Sequence, residues 1–297
     1  IKVHRLISLA HELGLVKVKI EHNLSDLVKL EEQLVKRFQL KICTVVPALG
    51  TSDHKETLAR ATLTALGLAG ARFLRRQLLD NSAQTIGLGW GRTLAAVAEQ
   101  TLYENHSHHR FVALIGSLTR HSAANPYDVI HRLADRTGSE GYYLPMPYIA
   151  DTLTDKKVFM AQKSVQHILD LARQSDVCLI GIGQCSEKSF LKTSNLITDK
   201  EFSELQSVGA VADLIGKFFN ADGELVDSEV NARSMGLELS ELGERFSVAI
   251  AGGNEKTAAI KAALKSGILS GLITDEDVAQ RLLVEDSSVL TGKVAPP

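Results

Sequence analysis

The chain has 297 residues, 44% of them hydrophobic and 23% charged, which suits a soluble globule with a well-buried core and room for one large domain plus an appendage. A formal net charge of -2 excludes a generic polyanion binder, so any contact with nucleic acid has to come from a local basic surface. No apolar run reaches 18 residues, so no membrane span is expected, and no signal peptide is visible.

Residues 2–13 read as an amphipathic helix, with Val3, Leu6, Ile7, Ala10 and Leu13 on one face and Gly14 as its stop. LVKVKI, residues 15–20, alternates apolar and basic residues as a half-buried strand does. Lys2, Arg5, Lys17 and Lys19 face a single acid, Glu12, across residues 1–20. Taken alone, that is either a solvated amphipathic helix or the end of a recognition helix followed by a wing on phosphate. Ser25 caps a further helix over 25–38, whose stripe is Leu27, Leu30, Leu34 and Phe38.

From residue 41 short apolar strands alternate with helices. Strands are predicted at 42–47, 85–89, 111–116, 141–145, 177–183 and 246–253, with the apolar run AVADLIGKFF between the last two. Helices are predicted at about 55–80, 90–102, 127–137, 160–174 and 255–266. Uniformly apolar strands joined by helices predict an α/β fold, a mostly parallel sheet flanked by helices on both faces. Ligands of such sheets sit at the carboxyl ends of strands. Asp222-Gly223 reads as a hairpin turn.

Four strand ends finish in glycine or small polar residues: PALGTSD (47–53), GLGWGRT (87–93), GIGQCS (181–186) and AGGNEK (251–256). Glycine lets backbone N–H groups approach an anion, and a following helix start adds positive potential. Tight turns without a ligand would use the same residues. Arg92 adds a cation and Thr93 a hydroxyl. Lys256 stands in a first helical turn, where the helix dipole disfavours a cation unless an anion is near. Trp90 suits stacking on a sugar face or a core stripe with Leu94, Val97 and Ala98. Asp213 suits two sugar hydroxyls or the backbone N–H groups of a strand end. The nucleotide fingerprints GxGxxG and GxxxxGK[ST] are absent.

His106, His108 and His109 in ENHSHHR lack the partners and spacing of a zinc site and read as a solvated loop. His121 has no visible orienting partner. Three cysteines without CxxC spacing indicate a reducing, cytoplasmic compartment and neither a disulfide framework nor a metal centre. Cys178 reads as core and Cys185 as partly exposed.

The whole pattern resembles the SorC/DeoR-type sugar-responsive transcription regulators of bacteria. VHRLISLAHELGLVKVKI is similar to the tail of that family's helix-turn-helix and wing. SDLVKLEEQLVKRFQLKICTVVP matches the segment leading into its effector domain. GLGWGRTL, NPYDVIHRLADRTG, YYLPMPYIAD, GAVADLIGKFFNADG and AGGNEKTAAIKAAL follow family blocks in order and spacing. One departure is Ala212, where the family block is expected to carry glycine.

The resemblance implies three parts. Residues 1–22 are the truncated C-terminal part of a winged helix-turn-helix, with Lys2, His4 and Arg5 facing DNA. Residues 23–40 are a linker helix, and 41–297 an effector-binding domain. The fold implied for that domain is the one shared by glucosamine-6-phosphate deaminases, ribose-5-phosphate isomerases and CoA transferases. The implied effector is a phosphorylated sugar or polyol, held by Gly50, Thr51, Ser52, Gly87, Gly89, Trp90, Gly91, Arg92, Thr93, Asp213, Gly252, Gly253 and Lys256. No cofactor or metal is implied; the implied partners are operator DNA and further copies in a homotetramer. With the earlier helices of the DNA-binding unit outside it, the chain alone is expected to bind DNA poorly. The competing function is a sugar-phosphate isomerase or deaminase of the same fold, since fold does not decide function. Proton transfer beside a carbonyl needs an oriented base. No such pair is apparent in the sequence, and a basic helix and wing have no purpose in an enzyme.

Overall fold

A computed structural model describes residues 24–48, 55–117 and 128–284. The expected helix at 2–13 and strand at 15–20 lie outside the described residues, as do Lys2, His4, Arg5, Gly50, Thr51, Ser52 and His121.

The chain begins with helix α1 (Leu24–Phe38), strand β1 (Ile42–Val46), the long helix α2 (Lys55–Leu78), β2 (Thr85–Leu88), α3 (Arg92–Gln100) and β3 (Arg110–Ala113). Next come α4 (Val129–Thr137), β4 (Glu140–Tyr142), α5 (Leu153–Met160), α6 (Lys163–Arg173) and β5 (Val177–Ile180). The stretch that follows holds β6 (Gly183–Gln184), α7 (Phe190–Thr193), α8 (Asp199–Ser207), β7 (Ala212–Leu214), β8 (Lys217–Phe219), α9 (Glu229–Arg233) and α10 (Leu239–Gly243). The described chain ends with β9 (Phe246–Ile250), a 3-10 turn (Asn254–Lys256), α11 (Thr257–Lys265), β10 (Gly271–Asp275) and α12 (Glu276–Leu283).

Seven strands form one parallel sheet in the order β1-β10-β9-β5-β2-β3-β4. Because successive side chains on a strand point to opposite faces, uniformly apolar strands feed two cores. Val112 and Leu114 enter one core while Phe111 and Ala113 enter the other. Cys178 and Ile180 alternate with Val177 and Leu179 in the same way. Helices α1, α11 and α12 cover the first core through Leu34, Ile260 and Leu282; α2, α3 and α4 cover the second through Leu74, Val97 and Leu133. Each such aliphatic side chain contributes about 1.5–3 kcal/mol by leaving water.

Strand β1 is an edge of the sheet. An edge presents unpaired backbone groups, and α1 answers this: Glu31 Oε1 accepts the Val45 N–H at 2.8 Å. Arg37 Nη1 donates to Leu283 O at 2.8 Å, fastening α1 to the end of α12.

A second, antiparallel sheet, β6-β7-β8, takes the chain straight after β5. Its β7–β8 hairpin turns at Ile215 and Gly216, with φ of 41° and 84°. The run AVADLIGKFF is therefore a hairpin folded at its centre. The Asp222-Gly223 turn is also present: Asn220 N–H bonds Glu224 O, and Phe219 bridges Leu225 antiparallel. Strand β10 and helix α12 carry no counterpart among the elements expected from sequence.

Candidate functional site

Order along the sheet locates the site. Strands β2, β3 and β4 run outward in one direction, while β5 returns to the other side of β2 and β9 and β10 continue from there. The order reverses between β2 and β5, so the loops leaving their carboxyl ends part and open a crevice. A cavity open to solvent occupies that place. Its walls come from the loops after β2, β3, β5 and β9, from the β7–β8 turn, and from the start of α7.

The loop after β2 supplies the positive wall. Gly91 has φ 128° and precedes α3 with no side chain capping the helix. This conformation is costly for any residue with a Cβ. The first N–H groups of α3 have no intrahelical acceptor. Arg92 opens that helix, and its side chain, exposed to solvent, lines the cavity without a hydrogen bond or ion pair among the described residues. The loop after β9 repeats the arrangement. Lys256 ends the 3-10 turn and directly precedes α11, and its Nζ donates to Ile182 O at 2.9 Å. Two ammonium protons remain unused among the described residues. Burial, with Arg92 nearby, pulls the Lys256 ammonium down to about 8. Lys188 adds a third cation on the rim.

Asp213 provides the opposing charge. It sits in β7 directly across from Gly183, whose missing Cβ would lie 3.1 Å from Asp213 Oδ2. Oδ1 accepts the Gly216 N–H at 3.2 Å and the Tyr148 hydroxyl at 3.2 Å. Of the two roles read from sequence, the backbone role is taken by Oδ1, which leaves Oδ2 without a donor among the described residues. Burial pushes the Asp213 carboxyl up to about 6, opposed by the Gly216 and Tyr148 hydrogen bonds and by Lys256. The hairpin beneath is rigid. Asn231 takes the Phe218 N–H on Oδ1 and gives both amide protons to Phe218 O and Val226 O. Ala212 is fully buried in regular β7, so a side chain fits where the family block was expected to have glycine.

An apolar wall completes the cavity. Trp90 lies edge-on to Tyr148 and to Phe190, with ring centroids 5.3 Å and 5.9 Å apart. It precedes α3, which starts at Arg92, so it is not part of a helical stripe with Leu94 and Val97. Its indole N–H is buried without a partner among the described residues.

Six of the residues expected at the site therefore meet around one cavity together with Asp213: Gly89, Trp90, Gly91, Arg92, Thr93 and Lys256. Three do not. Gly87 lies inside β2, where a Cβ would meet Leu114, Cys178 and Ser175 at 2.6–2.9 Å, so it is a packing residue. Gly252 and Gly253 stand off the cavity, and the Gly253 N–H is already donated to Asp275 Oδ2 at 2.7 Å. The cavity also uses Gly181, Gln184, Phe190 and Gly216, which were not chosen from sequence. The GIGQCS loop was the available signal for the first two.

The histidine loop is only partly solvated: His108 is exposed as expected, whereas His106 and His109 are buried. His109 is 1% exposed: Nδ1 accepts the Gln84 N–H at 3.0 Å, and Nε2 meets Leu78 O at 2.9 Å. Those partners require the neutral ring protonated on Nε2. Among the described residues no His, Cys, Asp and Glu cluster suits a metal ion, and no helix is long and apolar enough to cross a membrane.

Comparison with known proteins agrees with this architecture. The family model described as "Putative sugar-binding domain" matches residues 22–284. The erythritol catabolism regulatory protein EryD of Brucella abortus is 38% identical over 95% of this chain and 87% of its own length. The deoxyribonucleoside regulator of Bacillus subtilis is 27% identical over 96% of this chain and 88% of its own. Among solved structures, the full-length sorbitol operon regulator SorC from Klebsiella pneumoniae superposes with a TM-score of 0.80 at 25% identity, covering 95% of this chain and 89% of that one.

Proposed function

The chain belongs to the sugar-binding-domain family of SorC/DeoR-type transcriptional regulators, and on that premise we propose that its cavity receives a phosphorylated sugar or polyol whose binding alters the grip on operator DNA. One observation carries the phosphate. Arg92 and Lys256 both stand where a helix begins and both line one cavity, Lys256 partly buried with donors unused among the described residues and Arg92 at the solvent-exposed side. Cations are unfavourable at helix starts, and an anion between them reverses the sign of that interaction. The ester would lie against the N–H groups of α3, with Arg92 giving charge-assisted bonds. Asp213 Oδ2 accepts a hydroxyl at the other end, and Trp90 and Phe190 cover the carbon skeleton. The relative named for erythritol makes a four-carbon polyol phosphate the first compound to test. Gly50, Thr51 and Ser52 form a further ligand loop in this reading.

Residues 1–22 contribute the tail of the DNA-reading unit, with Lys2, His4 and Arg5 near phosphate, and the protein acts in the cytoplasm as a homotetramer. The effector works by population shift, favouring one arrangement of the reading heads, and so must bind that arrangement more tightly. The three relatives compared carry regulator names, which supports sensing over turnover.

The test is a thermal-shift series with erythritol 4-phosphate, other sugar and polyol phosphates, and each unphosphorylated parent. Phosphates should raise the unfolding midpoint well above their parents. The full-length regulator should shift a promoter fragment with steep salt dependence, and the active phosphate should change that shift. Equal stabilisation by parent and phosphate would refute the anion site, and sustained conversion of a phosphate would favour an enzyme.

A further inference from the structure

Behind the carboxylate lies a residue to which no role has yet been given. Tyr148 is 2% exposed, in the segment between β4 and α5. Its backbone is held on both sides, its N–H by Ser117 O at 2.8 Å and its carbonyl by the Met235 N–H at 3.0 Å. Its ring packs over Gly216, where a Cβ would approach Cε2 to 3.1 Å, and edge-on against Trp90. The hydroxyl therefore has one direction open to it, and there it donates to Asp213 Oδ1.

Oδ1 thus receives two donors, the Gly216 N–H from the hairpin turn and the Tyr148 O–H from the segment packed over that turn. Two donors on one oxygen fix the carboxylate plane and leave the second oxygen unshared. We infer that Tyr148 is a positioning residue of the effector site: it holds the Asp213 carboxylate so that Oδ2 is presented to the ligand, and it couples that carboxylate to the Trp90 wall. This rests on the effector reading of the cavity.

A hydrogen bond to the charged form of a carboxylate favours that form. The Tyr148 hydroxyl therefore keeps Asp213 an acceptor against the burial that acts to neutralise it. The other groups acting on this carboxylate are Lys256 before α11 and Cys185 after β6, with Arg92 and Lys188 on the same cavity. None of them fixes the plane of the carboxylate as a second donor on Oδ1 does.

The experiment reads Asp213 directly and needs no ligand. Protein labelled with 13C at the aspartate carboxyls is titrated by NMR, and the Asp213 signal is identified by its loss in Asp213→Asn. The wild-type signal should titrate near pH 6. In Tyr148→Phe it should titrate about one pH unit higher, because the donor favouring the anion is gone. If Tyr148→Phe does not fold, uniform 3-fluorotyrosine, a stronger donor, should move the wild-type midpoint downward. Erythritol 4-phosphate affinity in Tyr148→Phe should fall about tenfold at neutral pH, the acid limb of its pH profile moving upward. An unmoved titration, in the folded variant or the fluorinated protein, overturns the inference. So does an affinity loss that is equal at every pH. Unchanged binding of that probe by Arg92→Ala would instead defeat the effector reading, leaving the titration to decide the role of Tyr148.

Discussion

The two ends of the parallel sheet use charged side chains differently. At the amino ends several are tied up, although Gln84 Oε1, Ser175 Oγ and Arg245 Nε are buried without a partner among the described residues. His109 spends both ring nitrogens on backbone groups, Asp176 Oδ2 accepts the Thr85 N–H at 2.8 Å, and Glu104 binds both Arg75 and His106. At the carboxyl ends Arg92 is unpaired, Lys256 has one carbonyl, and Asp213 keeps one oxygen free among the described residues. Buried polar groups are normally satisfied because each unmade bond costs about 1–3 kcal/mol. Unmade bonds occur at both ends; what sets the carboxyl end apart is that its half-used charged groups, Arg92, Lys256 and Asp213, line one cavity, and that gathering marks a place built for a partner. The contrast separates residues of the same chemical kind: a half-used ammonium marks a site, and a fully bonded imidazole marks a joint.

The comparison breaks first at the cations. Replacing both Arg92 and Lys256 by alanine should weaken a phosphorylated effector by about 100-fold or more, since each charge-assisted bond is worth about 1.5–3 kcal/mol. Calorimetry checks this, and the free variant should unfold near the wild-type temperature.

His109→Leu should do the reverse, lowering stability by about 2–4 kcal/mol in denaturant unfolding while effector affinity stays unchanged, because Gln84 N–H and Leu78 O lose their partner. The joint has a pH signature too. Burial holds the His109 pKa below its ordinary 6.5. Its contribution is therefore complete above that unfolded value and is lost as pH falls below it. His109→Leu should flatten that acid loss.

At the carboxyl end, pH should act on binding instead. Affinity in the wild type should fall on the acid side as Asp213 takes a proton near pH 6, and on the alkaline side as Lys256 loses one near pH 8. Asp213→Asn should remove the protein's share of the acid limb in a titration series and keep the alkaline one.

The smallest effect belongs to Ala212→Gly. It should cost about 0.5–1 kcal/mol of stability, because β7 is regular at that position, with no change in affinity.

Much of this was legible in the sequence, for physical reasons. Uniformly apolar strands between amphipathic helices announce a two-faced parallel sheet, and the strands at β1, β2, β3, β5 and β9 appear where that pattern places them. Strand β10 escaped because GLITD has only two apolar side chains, Leu272 and Ile273, and draws its burial from β1 and β9 on either side. Lys256 was visible because a cation in a first helical turn is a local conflict that sequence alone exposes, and Arg92 because it stands in a glycine-rich strand end. Gly252 and Gly253 carry the same local signature yet fall outside the cavity, since their loop is bonded to Asp275, 22 residues away in the chain. Tyr148 left no trace, because a tyrosine in a loop acquires meaning only when a distant hairpin brings a carboxylate to its hydroxyl.

The central claim is that the carboxyl-end cavity holds the anionic part of a small effector. Its most direct measurement is a calorimetric comparison of erythritol 4-phosphate and erythritol on the wild type and on Arg92→Ala. The phosphate should bind far more tightly than the parent, and most of the difference should disappear with the guanidinium. A phosphate that binds no better than its parent, or one whose affinity survives the loss of Arg92, would contradict it.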